Sequence, residues 1–376
     1  MRIHMGLDVG STTVKLVVLD DTYNILYSTY RRHFSDVKKT VQEVINECYK
    51  TFKYDSVTIA VTGSGGLSIH ELLGIDFIQE VVAGTEAIRH YIPQTDVAIE
   101  LGGEDSKITY LKGSIEQRMN SICAGGTGAF IDQMAALLET DAAGLNELAK
   151  DYKKIYPIAS RCGVFAKTDI QALINQGASK SDIAISVFQS VVNQTISNLA
   201  CGRPIRGNVA FLGGPLYFLP MLKERFIETL ELSEEEAISP ENSQIFVALG
   251  AAISSFDSEV ISFMELYKRA NSNEEIKNKK SDLIEPLFSS KEEVEEFKKK
   301  HISKSFVKRD LKTYEGAMYL GIDSGSTTSK LLLLSEDNEM LYSYYGSNKG
   351  NPLEIVVEHL KIIYSQMNEK SYIAAA

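Results

Sequence analysis

The sequence lacks any apolar run that approaches the ~20 residues needed to cross a membrane, and its first six residues carry no signal-peptide core. It also lacks an excess of positive charge, because the net charge is -11 and no basic cluster is interleaved with aromatic residues. Neither a membrane nor a nucleic acid is therefore expected as a partner. We expect a cytoplasmic protein.

Cysteine is scarce, and in a reducing compartment the few that occur are not expected to form a disulfide framework. Each thiol must then fill the core, bind a ligand or react. Cys48 falls on the apolar face of a helix predicted over residues 37–52, and Cys201 ends a helix predicted over residues 182–200, so we expect both to be packed. The four cysteines are Cys48, Cys123, Cys162 and Cys201.

One ten-residue stretch occurs twice, as GLDVGSTTVK at 6–15 and GIDSGSTTSK at 321–330. Each copy predicts a strand, a tight turn and a second strand. Glycine lets the backbone approach an anion, hydroxyl and N–H groups donate to phosphate oxygens, and an aspartate such as Asp8 can hold hydrated magnesium or orient water. A single copy could be an ordinary glycine-turn hairpin, but the recurrence favours phosphate binding.

The similarity extends beyond this stretch, since residues 6–61 and 321–376 share 18 of 56 positions without a gap. The second copy contains only the first strands and the first helix of the repeat. We therefore expect residues 316–376 to be an incomplete second repeat, and the chain to be a fragment of a larger fused protein.

A second hairpin is predicted where a strand delivers Glu100 to the paired glycines Gly102 and Gly103. Two such hairpins on opposite lobes would hold a nucleotide triphosphate from both sides, whereas a β-turn that uses the glycines only for its geometry is the alternative. Two further glycine loops follow strands. Residues 62–66 have a phosphate-contacting composition or form a simple turn, and residues 213–215 could support a base or ribose.

Two cysteines precede predicted helices and have glycine-rich flanks. Cys123 begins the segment CAGGTGAF, and Cys162 lies in RCGVF. The N–H groups and the dipole at a helix start favour a thiolate or another anionic centre. Apolar burial is the commoner fate of a free cysteine, but these flanks favour ligation.

The order of these motifs resembles the actin-like ATPase superfamily, which includes sugar kinases and heat-shock chaperones. Within it, the two cysteine segments resemble activators of 2-hydroxyacyl-CoA dehydratases and ATPase subunits of benzoyl-CoA reductases, over residues 3–256. The resemblance implies an α/β, two-lobed, ribonuclease H-like fold with a nucleotide cleft. Lobe I would span 1–92, lobe II 93–256, a charged helical linker 257–315, and the incomplete second repeat 316–376.

The same resemblance implies a homodimer that hydrolyses ATP and shares one 4Fe-4S cluster between its subunits. It would pass a low-potential electron to a partner dehydratase or reductase in anaerobic metabolism. Such a cluster normally takes four thiolates. With Cys48 and Cys201 expected in the core, two chains that each supply Cys123 and Cys162 would provide them.

Matched position by position, the resemblance assigns catalytic and magnesium-related roles to Asp8, Glu100 and Asp105. Glu100 stands where the family pattern has aspartate, and Glu104 where it has glutamine, so the longer Glu100 side chain bears on the magnesium geometry. The resemblance assigns contact with the cofactor to Gly10, Ser11, Thr12, Thr13, Lys15, Gly102, Gly103, Ser106, Lys107, Gly126, Gly128, Gly213 and Gly214.

Two other hypotheses use the same scaffold. A small-molecule kinase would need an acidic general base in a sugar pocket between the lobes, and the sequence offers no convincing candidate. A nucleotide-dependent binding module would use ATP only to change shape and would carry no metal.

Overall fold

The computed structural model describes residues 2–52, 56–120, 126–159, 163–272, 286–301 and 306–376. The chain divides into two compact units, the first made of residues 1–136, 140–170 and 179–277, and the second of residues 137–139, 171–178 and 278–376. No helix within the described ranges combines the length and the apolar character that crossing a membrane requires.

The strands are β1 (Ile3–Val9), β2 (Thr13–Leu19), β3 (Ile25–Arg32), β4 (Ser56–Thr62), β5 (Asp76–Phe77), β6 (Val97–Leu101), β7 (Ser106–Tyr110), β8 (Glu116–Asn120), β9 (Val209–Leu212), β10 (Ala237–Ile238), β11 (Ile261–Ser262), β12 (Gly316–Ser324), β13 (Thr328–Ser335), β14 (Met340–Ser347) and β15 (Ser371–Ala375).

The α-helices are α1 (Val37–Thr51), α2 (Gly66–Leu73), α3 (Glu80–Tyr91), α4 (Gly128–Leu137), α5 (Ala142–Ala149), α6 (Gly163–Asn175), α7 (Lys180–Thr195), α8 (Gly214–Phe218), α9 (Pro220–Thr229), α10 (Phe246–Ser254), α11 (Phe263–Ala270), α12 (Lys291–Lys300) and α13 (Pro352–Gln366). A π-helical turn spans Ile196–Ala200, and 3-10 turns span Ser243–Ile245 and Ser255–Asp257.

The first sheet of unit 1 has the order β11-β4-β1-β2-β3, with β5 beside β4. Its central strand β1 is fully buried because helices cover both of its faces. On one face α1 contributes its apolar stripe, and on the other α10 approaches the backbone so closely that a Cβ at Gly6 would overlap the Ala248 carbonyl oxygen. The small residues of α10 allow this approach, which a larger side chain would prevent.

The second sheet of unit 1 has the order β10-β9-β6-β7-β8. β6 and β7 form an antiparallel hairpin, and β9 runs parallel to β6 on its other side. The unit therefore has two sheets that each begin with a hairpin, in agreement with the α/β, two-lobed organisation predicted from the sequence.

The span predicted to be a charged linker begins differently in the structure. β11 pairs antiparallel with β4, and α11 buries Phe263, Leu266 and Ala270 in the same core as β1. These apolar residues, spaced three and four apart, form one helix face within a charged sequence. Residues 261–270 thus belong to the first sheet, whereas α12 has no buried residue.

The two cysteines expected in the core have different environments. Cys48 is fully buried, and burial raises the pKa of its thiol to about 12. The prediction for Cys201 is wrong, because this residue is exposed and ends the π-helical turn in the left-handed region with φ 45°. Its Sγ donates to the Asn198 carbonyl oxygen over 3.1 Å.

Unit 2 contains a four-stranded sheet of order β14-β13-β12-β15, with α13 packed against it. This order matches β3-β2-β1-β4 of the first sheet, strand for strand. The hairpin register also matches, since Asp323 lies opposite Lys330 as Asp8 lies opposite Lys15. The second copy thus repeats the strand order and the hairpin pairing of the first.

Candidate functional site

The first hairpin presents a buried ion pair beside its turn. Asp8 is the next-to-last residue of β1, and its Oδ2 lies 2.7 Å from Lys15 Nζ of β2. The Gly10 N–H donates to the Thr13 carbonyl oxygen over 2.9 Å and closes the turn. Burial lowers the pKa of Lys15, but the charge and hydrogen bond of Asp8, together with Tyr30 and Glu100, outweigh it, so the pKa is raised and the ammonium stays charged.

The second carboxylate oxygen of Asp8 is buried and has no hydrogen-bond partner among the described residues. A buried carboxylate oxygen without a partner is costly, and such groups usually bind a ligand or a cation. Gly63, with φ +93°, belongs to the neighbouring 62–66 loop, and a Cβ there would lie 2.6 Å from this oxygen. The orphaned Oδ1 therefore fits a role as an oxygen ligand for magnesium.

The second hairpin encloses a lysine among carboxylates. Lys107 Nζ lies 2.7 Å from Asp105 Oδ2, 2.5 Å from Glu80 Oε1 and 3.4 Å from Glu100 Oε1, and its side chain is 4% exposed. Burial lowers the pKa of Lys107, but the three carboxylates outweigh it and raise the pKa well above its ordinary value. Lys107 is thus a fixed cation that orients acidic side chains around it.

Glu80 is a site residue that the sequence reasoning missed. It is the first residue of α3 and reaches Lys107 from a different element. Burial, with the nearby charges of Glu100 and Asp8, outweighs Lys107 and raises the pKa of Glu80 to about 7. The local sequence gives no signal for this role, because the perturbation depends on residues that only the fold brings together.

The two hairpins face each other across a cavity of about 460 Å³. A Cβ at Gly103 would overlap Thr12 Oγ1, so glycine at this position lets the second hairpin contact the first. The lining residues include Asp8, Gly10, Ser11, Thr12, Thr13, Lys15, Gly63, Ser64, Glu80, Glu100, Gly102, Gly103, Glu104 and Asp105.

Of the residues predicted to contact the cofactor, Ser106 and Lys107 are buried at the start of β7 and do not line this cavity. They stand behind the acidic side chains. Gly126, with φ +80°, packs against Gln194 instead. Gly128 begins α4, and its N–H donates to the Gly102 carbonyl oxygen over 3.0 Å.

A second cavity, of about 450 Å³, lies beside the hairpins. Gly214 lines it, and a Cβ there would overlap Tyr30 Oη, while Gly213, with φ +91°, makes the turn from β9. Its walls include Tyr30, Arg32, Gly128, Gly214, Pro215, Phe218 and Leu219. A nucleoside could rest there while its phosphates reach the hairpins.

The predicted cluster ligands Cys123 and Cys162 lie outside the described residues. Within the described ranges, no group of three or more His, Cys, Asp or Glu side chains is arranged to hold a metal ion alone. This arrangement is compatible with magnesium, which usually takes one or two carboxylates and completes its shell with water and phosphate oxygens.

Comparison with known proteins identifies a matching family and similar proteins. A sequence model of the BadF/BadG/BcrA/BcrD ATPase family matches residues 5–255. The 2-hydroxyisocaproyl-CoA dehydratase activator of Clostridioides difficile is 30% identical over 261 residues, which cover 67% of this chain and 94% of that protein.

Two solved structures are also similar. An activator of the 2-hydroxyisocaproyl-CoA dehydratase from Clostridium difficile, with bound ADPNP, superposes with a TM-score of 0.58 at 26% identity, over 68% of this chain and 94% of that one. Component A of the Acidaminococcus fermentans (R)-2-hydroxyglutaryl-CoA dehydratase gives 0.59 at 26% identity, over 72% and 100%. The predicted fold class is confirmed by these similarities.

Proposed function

This chain belongs to the BadF/BadG/BcrA/BcrD ATPase family, and from that premise we propose that it is an ATP-hydrolysing iron-sulfur activator. It would donate a low-potential electron to a 2-hydroxyacyl-CoA dehydratase or a related reductase. The single observation that carries the ATP-binding part is the pair of facing hairpins, with Asp8 and Lys15 on one and Glu100 on the other.

The hairpins would bind the phosphates through their backbone N–H groups and the hydroxyls of Thr12 and Thr13, while Lys15 offsets negative charge. Asp8 and Glu100 would hold magnesium together with phosphate oxygens, and the ion would neutralise charge on the phosphates. Glu80, held by Lys107 at the edge of the same cavity, would accept the proton of the water that attacks the terminal phosphate.

The electron-donating part rests on the cysteines. Cys123 and Cys162 would bind a 4Fe-4S cluster, which supplies one-electron redox chemistry. Cys48 cannot take part, because it is packed in the core among β1 and α1 side chains. One chain would supply two thiolates, so a cluster with four would join two copies of the chain as a homodimer.

Cys201 is exposed, so its thiol is a further candidate ligand that the test must exclude. Protein prepared without oxygen should carry iron and sulfide at one cluster per dimer. Cys123→Ala or Cys162→Ala should each abolish the cluster absorbance, whereas Cys201→Ala should leave it unchanged. Normal iron content in both of the first two variants would contradict the proposal, and loss in Cys201→Ala would reassign a ligand.

Glu80 is also the acidic group that a small-molecule kinase would need, so the structure supplies a candidate base that the sequence did not offer. The two functions differ in the acceptor of the phosphoryl group. An activator should release inorganic phosphate from ATP in water alone, and addition of a sugar panel should not raise the rate. A sugar phosphate as the main product would favour the kinase.

A further inference from the structure

An ion pair joins the two lobes of unit 1 beside the second cavity. Arg32 is the last residue of β3 in the first sheet, and its Nη1 lies 2.8 Å from Asp132 Oδ2 of α4. Both side chains line the 450 Å³ cavity next to Tyr30. The hydrogen bond that Arg32 donates to Asp132 raises the pKa of Arg32, so its guanidinium stays charged.

Helix α4 is attached at its first turn to the second hairpin. The Gly128 N–H donates to the Gly102 carbonyl oxygen over 3.0 Å, and the Ala129 N–H donates to the Gly103 carbonyl oxygen over 2.7 Å. Backbone carbonyls thus bind N–H groups that are unpaired at a helix start. Asp132 lies one turn later, so α4 is tied both to the hairpin and, through Arg32, to the opposite lobe.

Comparison of the two copies of the internal repeat distinguishes Arg32 from the residues that build the hairpin. At the same offset, Arg32 corresponds to Ser347, so its charge is not retained in the second copy. In each copy the lysine lies over a tyrosine ring, at 5.6 Å and 5.9 Å from its centre. The ion pair of the hairpin and the tyrosine of the third strand keep their identity, as Asp8 and Asp323, Lys15 and Lys330, and Tyr30 and Tyr345. Arg32 therefore serves the contact with α4 rather than the hairpin itself.

We propose that Arg32 and Asp132 are positioning residues that form a latch between the lobes. The latch holds α4 against the end of β3 while a nucleotide is in the cleft and slows nucleotide release. Because α4 also binds the second hairpin, the latch couples nucleotide occupancy to the position of this helix. This inference rests on the proposed ATP-binding function.

The test measures dissociation of a fluorescent N-methylanthraniloyl ATP from the full chain by stopped flow. Arg32→Gln and Asp132→Asn should each speed dissociation by about 2- to 5-fold, as expected for an exposed ion pair. The double variant R32Q/D132N should be no faster than either single one, because both remove the same interaction. The charge swap R32D/D132R should restore the original rate.

Lys150→Gln is the matched control, because Lys150 has the same 52% exposed side chain as Arg32 and pairs locally with Glu147 of α5, the helix that Lys150 follows. It should leave the dissociation rate unchanged. Three outcomes would overturn the latch while the ATP-binding function stands. They are dissociation rates equal to the original in both single variants, additive effects of the two substitutions in the double variant, and a charge swap that fails to restore the rate. A wild-type chain that does not bind the analogue would overturn both.

Discussion

The same aspartate–lysine pair occurs in two environments in this molecule, which shows what burial does to an ion pair. In the first copy the Lys15 and Asp8 side chains are 16% and 3% exposed, and in the second copy Lys330 and Asp323 are 39% and 64% exposed. An exposed pair contributes little, because water screens it. A buried pair cannot lose one partner without leaving an unpaired charge.

Lys15→Met should therefore destabilise the protein by about 3 kcal/mol, since it leaves the Asp8 carboxylate buried and unpaired. The matched change Lys330→Met should alter the urea-induced unfolding transition by no more than the error of the measurement. Equal effects of the two substitutions would mean that burial does not govern the pair.

Glu80 should make the rate of ATP hydrolysis depend on pH. Its pKa is raised from 4.5 to about 7 in the folded chain, and only its carboxylate form can accept a proton. The rate of ATP hydrolysis should rise as the pH increases through about 7. Glu80→Gln should lower the rate about 100-fold and abolish this rise. A rise through pH 7 that persists in Glu80→Gln would assign it to another group.

The effect of Glu80 on stability has the opposite sign to its effect on the rate. Because the folded state holds its proton more tightly than the unfolded chain, its stabilising contribution is complete below pH 4.5 and is lost as the pH rises through about 7. The stability of Glu80→Gln relative to the wild type should thus increase as the pH rises between these values. Urea unfolding of both proteins at pH 5 and at pH 8 measures this increase.

At the scale of elements, regular apolar spacing made much of the first lobe predictable. The strands predicted on either side of the turn in residues 6–15 are β1 and β2, and the helix predicted at 37–52 is α1, because each carries its own pattern. The sequence did not reveal α11, whose apolar face is hidden among charged residues. Nor could it reveal Glu80, because its environment arises when α3 meets the second hairpin. The hairpins themselves were recognisable from their glycines and hydroxyls.

The contact between β1 and α10 can be tested with another pair of matched positions. Gly6→Ala should destabilise the protein by about 3 kcal/mol, because its Cβ would overlap the backbone of α10 at Ala248. Gly321 is the counterpart in the second copy, where an added Cβ would meet, among the described residues, only the Leu332 carbonyl oxygen at 3.8 Å. Gly321→Ala should therefore change thermal unfolding by less than 1 °C, and a loss as large as that of Gly6→Ala would contradict this account.

For the whole molecule, the proposed function depends on two sites that are built differently, the nucleotide site and the iron-sulfur cluster. The residues of both hairpins come from one chain, so a single copy should be sufficient to bind nucleotide. The cluster, in contrast, would need thiolates from two copies. Nucleotide binding and dimerisation should thus respond differently to the removal of iron.

Iron chelation under anaerobic conditions should convert the proposed dimer to a monomer, because the shared cluster would be the bond between the copies. The affinity for the fluorescent ATP analogue should change by less than about 2-fold, since the chelator leaves both hairpins intact. Analytical ultracentrifugation and a fluorescence titration on the same sample measure the two properties.

Asp8→Asn is the reciprocal control and should weaken nucleotide binding while leaving the iron content unchanged. A dimer that persists without iron would place the contact between copies in protein surfaces rather than in the cluster, and a parallel loss of nucleotide affinity would mean that the hairpins depend on the second copy.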